Sequence, residues 1–134
     1  MDTWGWLVLA DRGEREHQQV TSFYAERTRR IGLIVTSDFV LNELFTIMFS
    51  RISFEAASRF ADSVLRSPFI TIERITPERF QKAWELRLKF SDKPRISFTD
   101  LTSMAAMNEL GISDVLTADK HFAQVGMNFR LLPD

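Results

Sequence analysis

The chain has 134 residues, a formal net charge of −1, 45% hydrophobic residues and no cysteine. This length favours a single domain, 1–134, with one core. The missing cysteine excludes disulfides, thiolate metal sites and a cysteine nucleophile. The net charge argues against binding of nucleic acid through a broad positive surface. A local basic rim around an acidic, metal-filled pocket is compatible with this charge. There is no apolar run of the ~20 residues that a membrane helix needs, and no signal-peptide pattern, so a cytoplasmic protein is expected.

The first part of the chain predicts helices and one buried strand. Apolar periodicity predicts helices over 4–11, 14–30 and 38–50, and the β-branched run over 32–36 predicts the strand. Ser37 and Asp38 offer an N-cap for the third helix.

The second part alternates between helical and extended patterns. Helices are expected over 53–67 with Ser53 as N-cap, from Thr76 onward with Thr76 as N-cap and Pro77 in the first turn, and over 99–110. Strands are expected over 69–75, 115–117 and 129–132. In the middle helix, Phe80, Ala83, Trp84 and Leu88 recur at spacings of three and four, which predicts a face that packs on the core. In the helix from Ser53, Phe54 is expected to point inward with the other apolar residues.

The alternation of helices and short apolar strands implies βα units. The predicted fold is therefore α/β, a three-layer α/β/α arrangement with a short, mostly parallel sheet. Ligands of such sheets bind beyond the carboxyl ends of the strands. Four acids fall at a strand end or on the helix that follows, so this architecture can bring them to one edge: Asp2, Glu43, Asp100 and Asp119.

Two of these acids have an ordinary explanation beside the functional one. Asp100 lies in the first turn of a helix built of small and apolar residues, where burial makes a lone carboxylate costly. An Asp at that place also caps free N–H groups and suits the helix dipole. Glu43 is equally well read as a solvated helix residue, although Phe39 and Ile47 lie beside it.

Short motifs in a fixed order run through nearly the whole chain: Asp2-Thr3, Thr36-Ser37-X-X-Val40-Leu41-Asn42-Glu43-Leu44, Ser97-Phe98-Thr99-Asp100, Leu116-Thr117-Ala118-Asp119 and His121-Phe122. Each motif alone is common, but the ordered set at these spacings is fairly specific. In this set the chain resembles the PIN domain family, which includes the VapC-type toxin ribonucleases.

The resemblance implies a metal site with catalytic and metal-binding roles for Asp2, Glu43, Asp100 and Asp119. Its cofactor would be Mg²⁺, or Mn²⁺, which hard oxygen ligands suit. The implied enzyme is a divalent-metal-dependent endoribonuclease that hydrolyses RNA phosphodiester bonds with a metal-activated water. The family further implies the toxin of a toxin–antitoxin pair, a homodimer and a cognate antitoxin as partner. Aromatic residues of the first two helices and of the helices over 38–67 are candidate partner surfaces, and core packing is their more frequent use.

Five further residues are candidates for contacts with the substrate. Thr3, Ser37 and Thr117 could donate to the acids or to phosphate, and local turn or cap bonding explains them at least as well. Lys93 and Arg95 precede Asp100 and could contact RNA phosphates, although solvated surface charge is the commoner role.

One departure from the family pattern concerns the start of the chain. Family members have a hydrophobic strand before the first acid, whereas Met1 alone precedes Asp2 in this sequence. Either the strand is short, with its end formed by residues 1–3, or the natural start lies upstream. The departure supports a second reading, a catalytically inactive PIN-like module that binds RNA or a protein partner. A receiver-type phospho-acceptor domain ranks lower, because its adjacent acids and late lysine are not found.

Overall fold

Seven helices and four short strands make up the described part of the chain. The structure is a computed structural model that describes residues 1–30 and 33–133, without the side chain of Arg30. The helices are α1 (Thr3–Ala10), α2 (His17–Arg30), α3 (Asp38–Arg51), α4 (Phe54–Arg66), α5 (Pro77–Lys89), α6 (Phe98–Leu110) and α7 (His121–Gln124). The strands are β1 (Ile34–Ser37), β2 (Ile70–Glu73), β3 (Asp114–Leu116) and β4 (Arg130–Leu132). Each predicted helix and strand is present with slightly shifted ends, and Gly32 of the first predicted strand lies outside the described residues.

The strands form two parallel pairs. β1 pairs with β2, with Ile34 opposite Ile70, and β3 pairs with β4, with Asp114 opposite Arg130. Helices connect the strands of each pair, as parallel pairing requires. The α/β prediction with parallel strands is therefore confirmed, with the strands arranged as two pairs.

Residues 1–2 lie between the two strand pairs. The backbone nitrogen of Met1 donates to Val35 O of β1, and Thr36 Oγ1 donates to Met1 O at 3.2 Å. On the other side, Asp2 N donates to Leu116 O of β3 at 3.2 Å. The chain then turns directly into α1, so Asp2 lies at the carboxyl ends of both neighbouring strands.

Buried apolar residues cover the strands and hold α1 in place. One cluster joins α1, α3 and α4 around Leu44 and Met48, and another packs Leu101 and Met104 of α6 against other apolar residues. Trp6 is almost fully buried, and its Nε1 donates to Thr36 Oγ1 at 3.0 Å. The helix that follows Asp2 is thereby fixed against β1.

Side-chain caps decide where several helices begin. The side-chain oxygens of Ser37, Ser53, Thr76 and Ser97 accept a hydrogen bond from the backbone N–H three residues later. At the other end of α6, Gly111 has φ +69°, a left-handed conformation that suits glycine. The caps predicted at Ser37, Ser53 and Thr76 are confirmed.

The predicted core face of α5 is wrong for three of its four residues. Ala83 is fully buried, but Phe80, Trp84 and Leu88 are 46%, 48% and 60% exposed. The physical reason is that α5 packs closely on α6 through the small Ala83, which turns the adjacent stripe outward. Phe54, which was expected to point inward from α4, is also exposed. No helix in the described ranges is long and apolar enough to cross a membrane.

Candidate active site

Asp2 is a buried carboxylate with two hydrogen-bond donors. Its Oδ1 accepts from Thr3 N at 2.8 Å, and its Oδ2 accepts from Thr117 Oγ1 at 2.6 Å. Burial raises the pKa of Asp2, while the hydrogen bonds from Thr117 and Thr3 act in the opposite direction. Asp2 is thus held in one orientation at a place where its charge is poorly solvated.

Asp100 is buried beside Asp2 in the first turn of α6. Burial, followed by the charge of Asp2 and a hydrogen bond with Asp119, raises the pKa of Asp100 to about 9. Its backbone N–H also donates to the capping Ser97 Oγ at 3.1 Å. The ordinary capping function therefore belongs to Ser97, and the Asp100 side chain is directed into a group of acids.

Thr117 connects Asp2 with Asp119 at the end of β3. The hydroxyl oxygen that donates to Asp2 also accepts from Asp119 N at 3.0 Å. Asp119 Oδ1 in turn accepts from His121 N at 2.9 Å. The His121 Nδ1 atom lies 2.9 Å from the same oxygen, but its direction does not make a hydrogen bond. Asp119 is more exposed than Asp2 and Asp100, so it lies at the open side of the site.

Three of the four predicted acids thus influence one another, and the fourth lies apart from their contacts. Glu43 is half-buried on α3, a helix that packs against α6. Within residues 1–30 and 33–133, Glu43 makes no hydrogen bond or ion pair. Its role at the site stays a prediction.

The five candidate substrate contacts have different surroundings. Ser37 Oγ accepts from Val40 N at 3.1 Å as the cap of α3, whereas Thr3 Oγ1 is buried and has no partner in the described part of the chain. Lys93 Nζ lies 2.9 Å from Asp92 Oδ2 and over the ring of Phe90. Arg95 is exposed. The hydroxyl of Thr117 is already used by the two acids that it connects.

The carboxylates match a divalent cation in charge and donor type. Buried carboxylates that disfavour each other's ionisation gain stability from a neighbouring cation, and carboxylate and hydroxyl oxygens suit Mg²⁺. The unpartnered Thr3 Oγ1 is one more oxygen beside Asp2. Among the described residues, however, no three His, Asp or Glu side chains are already grouped as a set that could hold a metal ion. The fit therefore rests on chemistry and charge.

Two connections at this edge were not anticipated from the sequence. Asp38 Oδ1, expected only as a cap, accepts from Ile75 N at 2.9 Å and so ties α3 to the segment after β2. Arg79 is buried and pairs with Glu73 of β2 at 2.9 Å and with Glu109 of α6. Asp38 and Ile75 are 37 positions apart, and Arg79 and Glu109 are 30 apart, so no local pattern in the sequence predicts these contacts.

Comparison with known proteins decides the family. A sequence model described as the PIN domain matches residues 2–127, nearly the entire chain. This chain belongs to the PIN domain family. The resemblance seen in its motifs is thereby confirmed.

A solved structure supports the same conclusion for this PIN domain. The crystal structure of Mycobacterium tuberculosis VapC20, a sarcin-ricin loop cleaving toxin, is similar with a TM-score of 0.83 and 27% sequence identity. The similarity covers 93% of this chain and 92% of that chain. No curated protein sequence matches. The fold of the PIN-domain toxins therefore extends over almost the whole length of this protein.

Proposed function

We propose that this PIN domain is a divalent-metal-dependent endoribonuclease and the toxin of a toxin–antitoxin pair. Family membership and the similarity to an RNA-cleaving VapC toxin support the activity. The observation that carries the proposal is the buried pair Asp2 and Asp100, with Asp119 beside them. Such a pair costs stability unless a cation or a proton compensates it, which is typical of a functional site.

In this proposal Asp2, Glu43, Asp100 and Asp119 hold Mg²⁺ or Mn²⁺. A bound ion would lower the pKa of a water molecule and stabilise charge on the attacked phosphate. Thr117 fixes the Asp2 carboxylate and the backbone of Asp119 so that their oxygens keep one geometry. With its pKa raised to about 9, the Asp100 carboxyl group would have to lose a proton to ligate a cation, so metal binding would release a proton.

Metal-dependent RNA cleavage tests the activity directly. The wild-type protein is titrated with Mg²⁺ and Mn²⁺ in the presence of labelled RNA, beside Asp100→Asn. We expect cleavage that requires the metal and falls at least about 100-fold in the variant, because it loses a charged group at the site. Asp62→Asn, an exposed acid of α4 paired with Arg66, is the matched control and should cleave normally.

Absence of metal-dependent cleavage, or equal cleavage by wild type and Asp100→Asn, would support the catalytically inactive module instead. The toxin part of the proposal has its own readout. Expression of the wild-type chain in a bacterial host should arrest growth from within the cytoplasm, and expression of Asp100→Asn should not.

A groove between α1, α2 and α4 offers a surface for the proposed antitoxin. It encloses about 450 Å³ and is lined by aromatic side chains of Trp6, Tyr24, Phe60 and Phe69. Phe69 is 49% exposed. Apolar side chains of an antitoxin segment would fit this groove, as in recognition of amphipathic segments by hydrophobic grooves.

The exposed stripe of α5 is our candidate for the homodimer interface. Phe80, Trp84 and Leu88 follow one another at intervals of four residues, and Lys82 and Glu85 place both signs of charge beside them. A two-fold interface brings the same patch together from both copies, so a patch that carries both charge signs can be self-complementary.

A further inference from the structure

The guanidinium group of Arg87 binds three backbone carbonyls of one loop. Its Nη1 donates to Ile96 O, and its Nη2 donates to Phe90 O and Lys93 O, each at 2.7 Å. These carbonyls belong to the segment 90–96, which runs from the end of α5 to the cap of α6. In the part of the chain that the structure describes, Arg87 forms no ion pair. Its charged guanidinium group therefore holds this loop in one conformation.

The loop is fixed at both ends and at its centre. Phe90 and Ile96 are buried, and the turn bonds Lys93 N to Phe90 O and Ile96 N to Lys93 O are 2.9 and 3.2 Å long. Arg87 also donates to the carbonyl oxygens of Phe90 and Lys93, so each of these oxygens accepts two hydrogen bonds. Since hydrogen bonds from a charged donor are stronger than neutral ones, Arg87 is the principal polar anchor of the segment.

The loop presents one cation that is free to bind an external anion. Lys93 is occupied by Asp92 and by the ring of Phe90. Arg95 is exposed, and within the described ranges it has no hydrogen bond and no ion pair. It lies two residues before Ser97, the cap of the helix that carries Asp100. A guanidinium at this place can form paired hydrogen bonds with a phosphate.

We propose that Arg87 is a positioning residue that shapes the loop 90–96 so that Arg95 binds a phosphate of RNA beside the acidic site. The proposal rests on the proposed function, since it names a group that holds the substrate of the same site. Arginine is required at position 87 because its planar fork reaches three carbonyls at once, whereas a lysine ammonium acts from a single point.

The first test measures RNA affinity for Arg95→Ala and Arg87→Lys. Dissociation constants for a labelled single-stranded RNA are taken by fluorescence anisotropy in EDTA, which prevents metal-dependent cleavage. We expect Arg95→Ala to weaken binding about tenfold, the loss of one charge-assisted contact, and to reduce the salt slope by about one. Arg87→Lys keeps the net charge and should still weaken binding about fivefold.

The decisive measurement is the double variant. If Arg87 acts through Arg95, the substitution Arg95→Ala has little further effect on RNA affinity once Arg87 is lysine, so the two effects are not additive. Lys89→Ala is the matched control for loss of one positive charge in the same region. It should change the dissociation constant less than twofold, within the range of ordinary surface charges.

Three results overturn the proposal: normal RNA affinity of Arg95→Ala, normal affinity of folded Arg87→Lys, or full additivity in the double variant. If circular dichroism shows that Arg87→Lys is unfolded, Arg87→Ala is tested in its place. Guanidinium at about 10 mM should then restore its RNA affinity and ammonium should not, and failure of this rescue also overturns the proposal. Binding without metal-dependent cleavage by wild type would remove the proposed enzyme while leaving the role of Arg87 standing.

Discussion

At the scale of one residue, Asp100 shows how burial and neighbouring acids raise the pKa of a carboxyl group. It lies in the first turn of α6 next to Asp2 and Asp119, and its pKa is raised to about 9 from the usual 3.8. The unfolded chain releases this proton at much lower pH. Between these two values the unfolded state binds fewer protons at Asp100 than the folded state, so the contribution of Asp100 to the stability of the metal-free protein falls as pH rises.

We therefore expect Asp100→Asn to stabilise the metal-free protein. In EDTA at pH 8 its melting temperature should exceed that of wild type by about 5 °C or more, and the difference should shrink toward pH 4. Differential scanning fluorimetry over this pH range measures both. A wild-type melting temperature that rises with pH relative to the variant would contradict the proposed environment of Asp100.

Addition of Mg²⁺ should reverse the order of the two melting temperatures, so that the wild type melts at a higher temperature than Asp100→Asn. A ligand that binds only the folded state stabilises it by mass action, and the wild type keeps the carboxylate that attracts the ion. Asp62→Asn should have the melting temperature of the wild type both with and without Mg²⁺, because Asp62 is an exposed residue that pairs with Arg66.

Thr117 is a second residue at which a small change should have a large effect. Thr117→Val removes the hydroxyl that donates to Asp2 and accepts from Asp119 N. We expect a loss of about 1–3 kcal/mol in the free energy of unfolding, because buried polar groups lose a partner. In the RNA cleavage assay kcat should fall about tenfold, since the two acids lose their common support.

Thr117→Ser is the matched control, because it keeps the hydroxyl and removes one methyl group. It should retain most of the cleavage rate. Equal kcat for Thr117→Val and wild type would show that the hydroxyl does not position the acids.

At the scale of one element, α5 shows where periodicity fails as a guide to the core. Spacings of three and four identified a helix correctly, and its Thr76 cap and Pro77 start agree with the structure. The same spacings describe two adjacent stripes, one through Ala83 and one through Trp84. Which stripe faces α6 depends on how closely the two helices approach, and the sequence pattern does not contain that distance.

The exposed stripe makes a prediction about association. Trp84→Glu should convert the proposed homodimer to a monomer, because it buries a charge in an apolar interface. Its thermal stability as a monomer should change by less than about 0.5 kcal/mol, as for other exposed positions. Sedimentation velocity at matched concentrations measures the change in mass.

Gln19→Glu adds the same charge at an exposed position of α2, outside this stripe. It should leave the association state unchanged. A wild-type protein that is monomeric at high concentration, or a dimer that persists in Trp84→Glu, would exclude the α5 interface.

At the scale of the whole molecule, the balanced charge limits how RNA is bound. The 17 Lys and Arg residues are balanced by 18 Asp and Glu residues, so the chain has no excess of positive charge to neutralise phosphates. The logarithm of the RNA dissociation constant should therefore change with the logarithm of KCl concentration with a slope of about 1–3, well below that of extended basic surfaces. Anisotropy titrations between 50 and 200 mM KCl provide the slope, and a value above about 6 would indicate a wide basic surface.

The sequence by itself determined the alternation of helices and strands, the main helix caps, the resemblance to PIN domains and four candidate acids, three of which the structure brings together. These features depend on local periodicity, on side chains that bond their own backbone, and on motifs in a fixed order. Only the tertiary structure decided that Thr117 joins Asp2 to Asp119, that Arg87 closes the loop before α6 and that Trp84 faces outward. Thr117 and Asp2 are 115 positions apart, and α5 packs on α6 across an intervening loop. Such contacts depend on the distances between packed elements, which a linear pattern of residue types does not specify.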